Sequence, residues 1–121
     1  MCYSYVMIKE PFTEKRPWGE FRQYTSGESV TVKTVFVKAG ECLSLQYHER
    51  RAEFWRVLSG APDVTIGEKI THAKVGDEFM VPKGATHQIA AAEEDVEILE
   101  IAYGDFDEND IVRIEDNYGR V

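Results

Sequence analysis

Four side chains in this sequence have the chemistry to hold a divalent cation: Gln46, His48, Glu53 and His87. One amide oxygen, two imidazoles and one carboxylate make a mixed nitrogen and oxygen set of the kind divalent metals accept. Gln46 and His48 are two residues apart in a segment of strand character, so both point to the same face. Glu53 opens the next apolar segment after a short turn and shares its face with Trp55, Val57 and Ser59. His87 comes much later, just after Pro82-Lys83-Gly84. Four such groups on the inward faces of a barrel can converge on one ion. His72 has no partner at useful spacing and reads as an ordinary satisfied polar residue.

The elements that must position these groups are strands. Segments rich in β-branched and aromatic residues recur at 20–25, 30–38, 43–48, 53–59, 63–66, 69–73, 78–81, 86–91 and 96–103. Turn residues separate them, at Ser26-Gly27, Ala39-Gly40, Gly60, Gly67-Glu68, Gly76-Asp77, Lys83-Gly84 and Gly104-Asp105. Many short strands with glycine-marked turns predict an all-β sandwich or small barrel. No window of ten or more residues carries a helical period. The stretch 90–95 has helix formers, but strands hem it in and it reads as a loop. The acidic stretch 105–116 is expected to lie over the surface.

A length of 121 residues fits one domain. The expected organisation is a single domain over 1–121, with 1–15 an N-terminal extension and 105–121 a C-terminal tail. Fourteen basic residues face 22 acidic ones, a net charge of −8. That balance disfavours nucleic acid and anionic membrane as partners. No apolar run approaches the roughly 20 residues of a membrane span. The first eight residues lack the basic flank and length of a signal peptide. A cytoplasmic location is the default expectation. Cys2 and Cys42 are too few for a disulfide framework and read as two reduced thiols.

Two blocks of spacing then stand out. Gly40, Gln46-Tyr47-His48, Glu53 and Gly60 form the first; Gly76, Pro82-Lys83-Gly84 and His87 form the second. They resemble the two signature blocks of the cupin superfamily, whose double-stranded β-helix (a jelly-roll barrel) binds a metal through His, His, Glu and His. Gln46 stands here for the first His. A narrower resemblance covers about residues 16–120. Its strings are Arg16-Pro17-Trp18-Gly19, Leu43-Ser44-Leu45-Gln46, Arg51-Ala52-Glu53, Phe54-Trp55 and the run from Asp110 through Asn117-Tyr118-Gly119-Arg120. These are similar to the C-terminal isomerase domain of bifunctional mannose-6-phosphate isomerase/mannose-1-phosphate guanylyltransferases, in which the first ligand is also Gln. This chain carries Glu49 and Phe54 where that family usually has histidines. The resemblance implies one divalent metal ion, most often zinc, held by Gln46, His48, Glu53 and His87. Iron, cobalt, nickel and manganese also suit mixed ligation.

The resemblance also implies a chemistry. Interconversion of mannose-6-phosphate and fructose-6-phosphate moves a proton between C2 and C1 through an enediol, whose charge a divalent ion stabilises. The phosphorylated substrate needs cations. Arg51 lies two before Glu53, and on its face if the strand already extends there; Lys33 sits among valines, where a charge needs a reason; Arg16 begins the first resembling string. Arg51 and Lys33 are the candidate catalytic cations, and Arg16 a candidate substrate contact. Pairing with the acidic tail is the alternative for Arg16 and Arg113. Glu49 is the candidate proton carrier, provided that its strand ends at His48. No other general base is identifiable. Two other readings stand beside the isomerase: a non-enzymatic metal-binding cupin that senses a sugar, sugar phosphate or sugar nucleotide, and an Fe²⁺ oxygenase, against which Gln46 argues. Cupins commonly pair through a long hydrophobic edge, so a homodimer is expected.

Overall fold

The computed structural model describes residues 10–104 and 106–120. Cys2 and the stretch 1–8 lie outside the described residues. Eleven strands are present among them and no helix. They are β1 (Phe12–Arg16), β2 (Gly19–Gln23), β3 (Val30–Val37), β4 (Leu45–Tyr47), β5 (Arg51–Ser59), β6 (Asp63–Ile66), β7 (Lys69–His72), β8 (Glu78–Val81), β9 (His87–Ala90), β10 (Val96–Gly104) and β11 (Val112–Glu115).

A four-stranded sheet runs β3-β10-β5-β8 and a five-stranded sheet runs β11-β4-β9-β6-β7, with every pairing antiparallel. The two sheets face each other across a shared core. Val37, Trp55, Val57, Val81, Val96 and Ile98 come from the first, and Val64 and Ile89 from the second. Alternation decides which side chains enter. On β3, Val35 and Val37 turn in while Val32 and Phe36 stay exposed at 56% and 59%. The order of charged and apolar residues therefore sets each strand's face, and a slip of one residue would expel the whole core set.

A second, smaller cluster lies on the outer face of the four-stranded sheet. Phe54, Ile101 and Tyr103 are buried there under Tyr24, Val30 and Met80. The hairpin of β1 and β2 leads into Tyr24 and is tied to β8 by ion pairs of Arg22 with Glu78. Arg56 reaches the same carboxylate at 2.7 Å. Gly60 ends β5 where φ is +83° and an added Cβ would lie 2.3 Å from the Asp95 carbonyl oxygen. No other residue type fits that turn without moving backbone.

Both ends of the chain carry a strand that the sequence pattern did not single out. Residues 12–16 form β1, whose pairing with β2 runs from Phe12↔Gln23 to Arg16↔Gly19. The C-terminal stretch is mostly exposed, as expected, yet it holds a strand. Within it, β11 pairs with β4 through Val112↔Tyr47 and Arg113↔Gln46, completing the five-stranded sheet. The 90–95 stretch is a loop as its setting between strands requires, except that Ala90 still belongs to β9.

Candidate metal centre

One end of the space between the sheets is polar. Glu53 and Arg51 enter it from β5, and His87 from the start of β9. His48 follows directly after β4. His48, Glu53 and His87 are 3%, 1% and 2% exposed, so nothing in bulk water satisfies them. Their ligand atoms all lie within 4.8 Å of one another. His48 Nε2 is 3.2 Å from Glu53 Oε2, and His87 Nε2 is 4.0 Å from Glu53 Oε1. The two imidazole rings are 4.9 Å apart by centroid.

Backbone carbonyls fix the tautomers. His48 Nδ1 donates to the Asp110 carbonyl at 2.6 Å, and His87 Nδ1 to the Ala85 carbonyl at 3.0 Å. A nitrogen that faces a carbonyl carries the hydrogen, which leaves each Nε2 with its lone pair directed inward. Two imidazole lone pairs and a carboxylate thus converge. Buried acceptors at such range repel unless a positive group lies among them. His87 Nε2 is buried with no hydrogen-bond partner at all. That orphaned atom, together with the donor types, fits a divalent cation. Gln46 lies directly opposite His87 in the β4–β9 pairing, which places both on the same face. Its Oε1 accepts a hydrogen bond from the Ser44 hydroxyl.

Protein donors hold the remaining valences of Glu53. Trp55 Nε1 donates to Oε1 at 2.9 Å and Arg51 Nε to Oε2 at 3.0 Å. Burial alone would push this carboxyl up. Its neighbours His48, His87 and Arg51 outweigh that and hold the pKa at about 2. Glu53 is therefore an ionised ligand at any physiological pH. Burial pushes His87 down, which keeps its imidazole neutral and available.

Arg51 is 5% exposed and does more than pair with Glu53. Its Nη2 lies 3.2 Å from His48 Nε2, and its Nη1 donates to the Asp107 carbonyl at 3.2 Å. The guanidinium also stacks over Phe106 at 4.4 Å, and Lys33 Nζ lies 5.1 Å from the same ring. Lys33 turns inward from β3, as its place among valines suggested. Its ammonium is 3.6 Å from Glu100 and 3.8 Å from Glu108.

Two candidates are not brought to this site. Arg16 sits in the β1–β2 hairpin, pairs with Glu14 at 2.8 Å and stacks on Phe21. It meets neither the site nor the acidic tail. Glu49 is exposed just beyond β4, and its backbone amide is held by the Asp110 carboxylate at 2.9 Å. The strand does end before it, yet the chain turns the Glu49 side chain outward. His72 pairs with Asp63 at 2.8 Å on the surface, a satisfied polar residue as expected.

Three residues join the site without a signal strong enough to single them out earlier. Asp110 is 7% exposed and clamps the turn after His48, taking the amides of Glu49 and Arg50 at 2.9 and 3.0 Å. Arg113 lies across from Gln46, and its buried Nε has no partner. Glu100 is 6% exposed, sits opposite Lys33 and Trp55 on the inward face of β10, and leaves Oε2 unpartnered.

Two facing antiparallel sheets with His, Glu and His converging between them define a cupin, the double-stranded β-helix class. Solved structures agree. The oxalate decarboxylase of Bacillus subtilis matches 72% of this chain and 24% of its own, with TM-score 0.65 and 29% identity. A Klebsiella pneumoniae protein described by its double-stranded β-helix domain matches over 88% of this chain and 86% of its own, with TM-score 0.63 and 18% identity. The model of the family "Mannose-6-phosphate isomerase C-terminal" matches residues 7–116, and the chain belongs to that family. Among curated relatives, the mannose-1-phosphate guanylyltransferase ManC of Salmonella typhimurium is 39% identical over 108 residues, covering 88% of this chain and 22% of that protein. The xanthan biosynthesis protein XanB of Xanthomonas campestris is 40% identical over 107 residues, covering 87% and 23%. The chain thus spans less than a quarter of the length of these relatives. Among the described residues no helix is long and apolar enough to cross a membrane.

Proposed function

We propose that this protein is a metal-dependent sugar-phosphate isomerase that interconverts mannose-6-phosphate and fructose-6-phosphate. The observation that carries the reading is the convergence of three buried acceptors, one of them the orphaned His87 Nε2, in a chain of the mannose-6-phosphate isomerase C-terminal family. His48, Glu53 and His87 would hold the ion, with Gln46 as the fourth ligand. Zinc fits this set best. When bound, it supplies Lewis-acid stabilisation to charge that develops on the sugar's C1 and C2 oxygens.

The chain's own residues do the rest. Trp55 and Arg51 hold the Glu53 carboxylate in one orientation, so the ligand needs no rearrangement during turnover. The Asp110 carbonyl does the same for His48. Arg51 and Lys33 put two cations against Phe106 beside the site, where they would attract an anionic sugar phosphate. The working unit in this proposal is a homodimer, and the partner of the site is a small phosphorylated sugar.

One observation favours a second reading, a sugar-binding module without turnover. The Arg51 guanidinium reaches both Glu53 Oε2 and His48 Nε2 and so offers a positive charge to the acceptors itself. Elemental analysis and an isomerase assay separate the two. The isomerase reading expects about one metal per chain, conversion of fructose-6-phosphate that a chelator abolishes, and loss of metal in His87→Ala. Bound metal without turnover of any hexose phosphate would support the binding module. A His87→Ala variant that keeps both metal and activity would remove His87 from the site.

A further inference from the structure

We propose that Glu100 carries the substrate proton between C2 and C1, with Lys33 as its positioning residue. The inference rests on the isomerase reading and supplies the proton carrier which that reading lacks.

The argument begins with placement. Glu100 is on the inward face of β10, between Ile98 in the apolar core and Ala102, which pairs directly with Glu53. Its cross-strand neighbours are Trp55, the donor that orients Glu53, and Lys33. The carboxyl therefore looks into the polar end of the barrel from the wall beside the ligands. It is not one of the three converging ligand groups.

The second part is what Glu100 lacks. A carboxylate buried to this degree normally collects hydrogen bonds. Glu100 Oε2 has none, and the Lys33 ammonium stays at 3.6 Å, near enough for charge but outside hydrogen-bond range. An oxygen with no hydrogen bond to make, kept at the cost of its burial, is available to another group.

The third part is its protonation. Burial, then the charge of Glu53, push the Glu100 carboxyl up to about 7, while Lys33, Arg51 and His48 pull the other way. These are the charged groups facing it from β3, from β5 and from the turn after β4; Glu108 faces it only through Lys33. Burial raises the proton affinity of the carboxyl whatever Glu53 holds, and that suits a group which takes a proton and returns it.

The step balances within substrate and protein. Glu100 takes the proton from C2 of the open-chain aldose as the C2–H bond breaks. The electron pair forms the C1–C2 double bond of an enediolate, with charge on O1. The hydroxyl proton moves from O2 to O1. The C2 carbonyl then forms, and C1 recovers the proton from Glu100. No oxidant or further reactant is needed. Lys33 keeps the carboxyl directed inward and favours its ionised, proton-accepting form.

The test uses the metal-loaded wild type with Glu100→Gln, Glu100→Ala, Glu100→Asp and Lys33→Met, followed by conversion of fructose-6-phosphate in D2O. The proposal expects Glu100→Gln to keep its metal and a KM within about threefold. Its kcat and deuterium incorporation into the sugar should fall by about 10²- to 10⁴-fold, the usual worth of a positioned acid or base. Glu100→Asp should recover part of that loss, and added formate should restore part of the rate of Glu100→Ala. In Lys33→Met the ascending limb of kcat/KM against pH should move to higher pH, which a merely structural role would not do. Glu100→Gln exchanging at the wild-type rate would overturn the proposal while leaving the isomerase reading intact. Loss of metal in Glu100→Gln would also overturn it, making Glu100 a support of the metal centre. A wild type that neither converts nor exchanges hexose phosphate would sink the isomerase reading itself, and this inference with it.

Discussion

Replacing Glu100 by Gln should change how the metal-free protein's stability depends on pH. The unfolded carboxyl titrates near 4.5 and the folded one near about 7. Between those values the folded state holds a proton that the unfolded state has released. Stability from this group is therefore fully present below pH 4.5 and is lost as pH rises through 7. Worked for a single site, the wild type should lose about 2.5 kcal/mol between pH 5 and pH 8 on this account. Gln cannot titrate, so Glu100→Gln should gain that much relative to wild type over the same interval. Subtracting the two curves removes the contributions of groups common to both proteins. Urea unfolding in EDTA at half-unit steps of pH measures the difference, and matching m-values license the subtraction. Parallel curves from pH 5 to pH 8 would refute the reasoning, because they would mean that Glu100 is ionised in the fold at no cost.

Trp55→Phe keeps the ring in the core but removes the donor to Glu53; denaturant titration should show a loss of about 1.5–3 kcal/mol, and metal competition a weakening of about 10–100-fold. Arg51→Ala, assayed at saturating metal, should raise KM for a phosphorylated sugar by roughly tenfold or more, since the guanidinium is charged and desolvated, and should weaken metal competition much as Trp55→Phe does, since it too removes a donor to Glu53; an unchanged KM would discard the phosphate role. Gly60→Ala should cost more than about 2 kcal/mol by chemical denaturation, because it combines left-handed backbone strain with a Cβ meeting Asp95 and Val96.

Much of this architecture could be read from residue order because alternation and glycine punctuation are local signals. Segments such as 63–66 and 78–81 coincide with strands at both ends. The strand beginning at Arg51 rather than Glu53 is the useful exception: its two extra residues bring Arg51 onto the face of Glu53. β1 and β11 were not legible. Phe12-Thr13-Glu14-Lys15-Arg16 is fully exposed, so nothing selects an apolar alternation. Val112-Arg113-Ile114-Glu115 alternates, but its apolar members face outward, and an acidic setting hides the pattern. At the site, His48, Glu53 and His87 carried spacing as well as type. Glu100 differed only in being a charge at an inward position of an apolar strand, a signal that requires knowing which face is inward. Asp110 acts through its backbone oxygen and through amides some sixty residues away, a contact that no local pattern encodes. Glu49 had the right address, but the turn after β4 spends its backbone on Asp110 and sends its side chain to solvent.

The ligands do not share a leaf of the barrel: Glu53 stands on β5 of the four-stranded sheet, and His87 on β9 of the five-stranded one. A cation gripped between them would act as a rivet through both leaves. The leaves cannot part at that end without shearing a coordinate bond, so loading should suppress breathing of the whole jaw rather than stiffen a single loop. The β1–β2 hairpin lies outside the rivet's span and is held instead by the Arg22–Glu78 pair on β8.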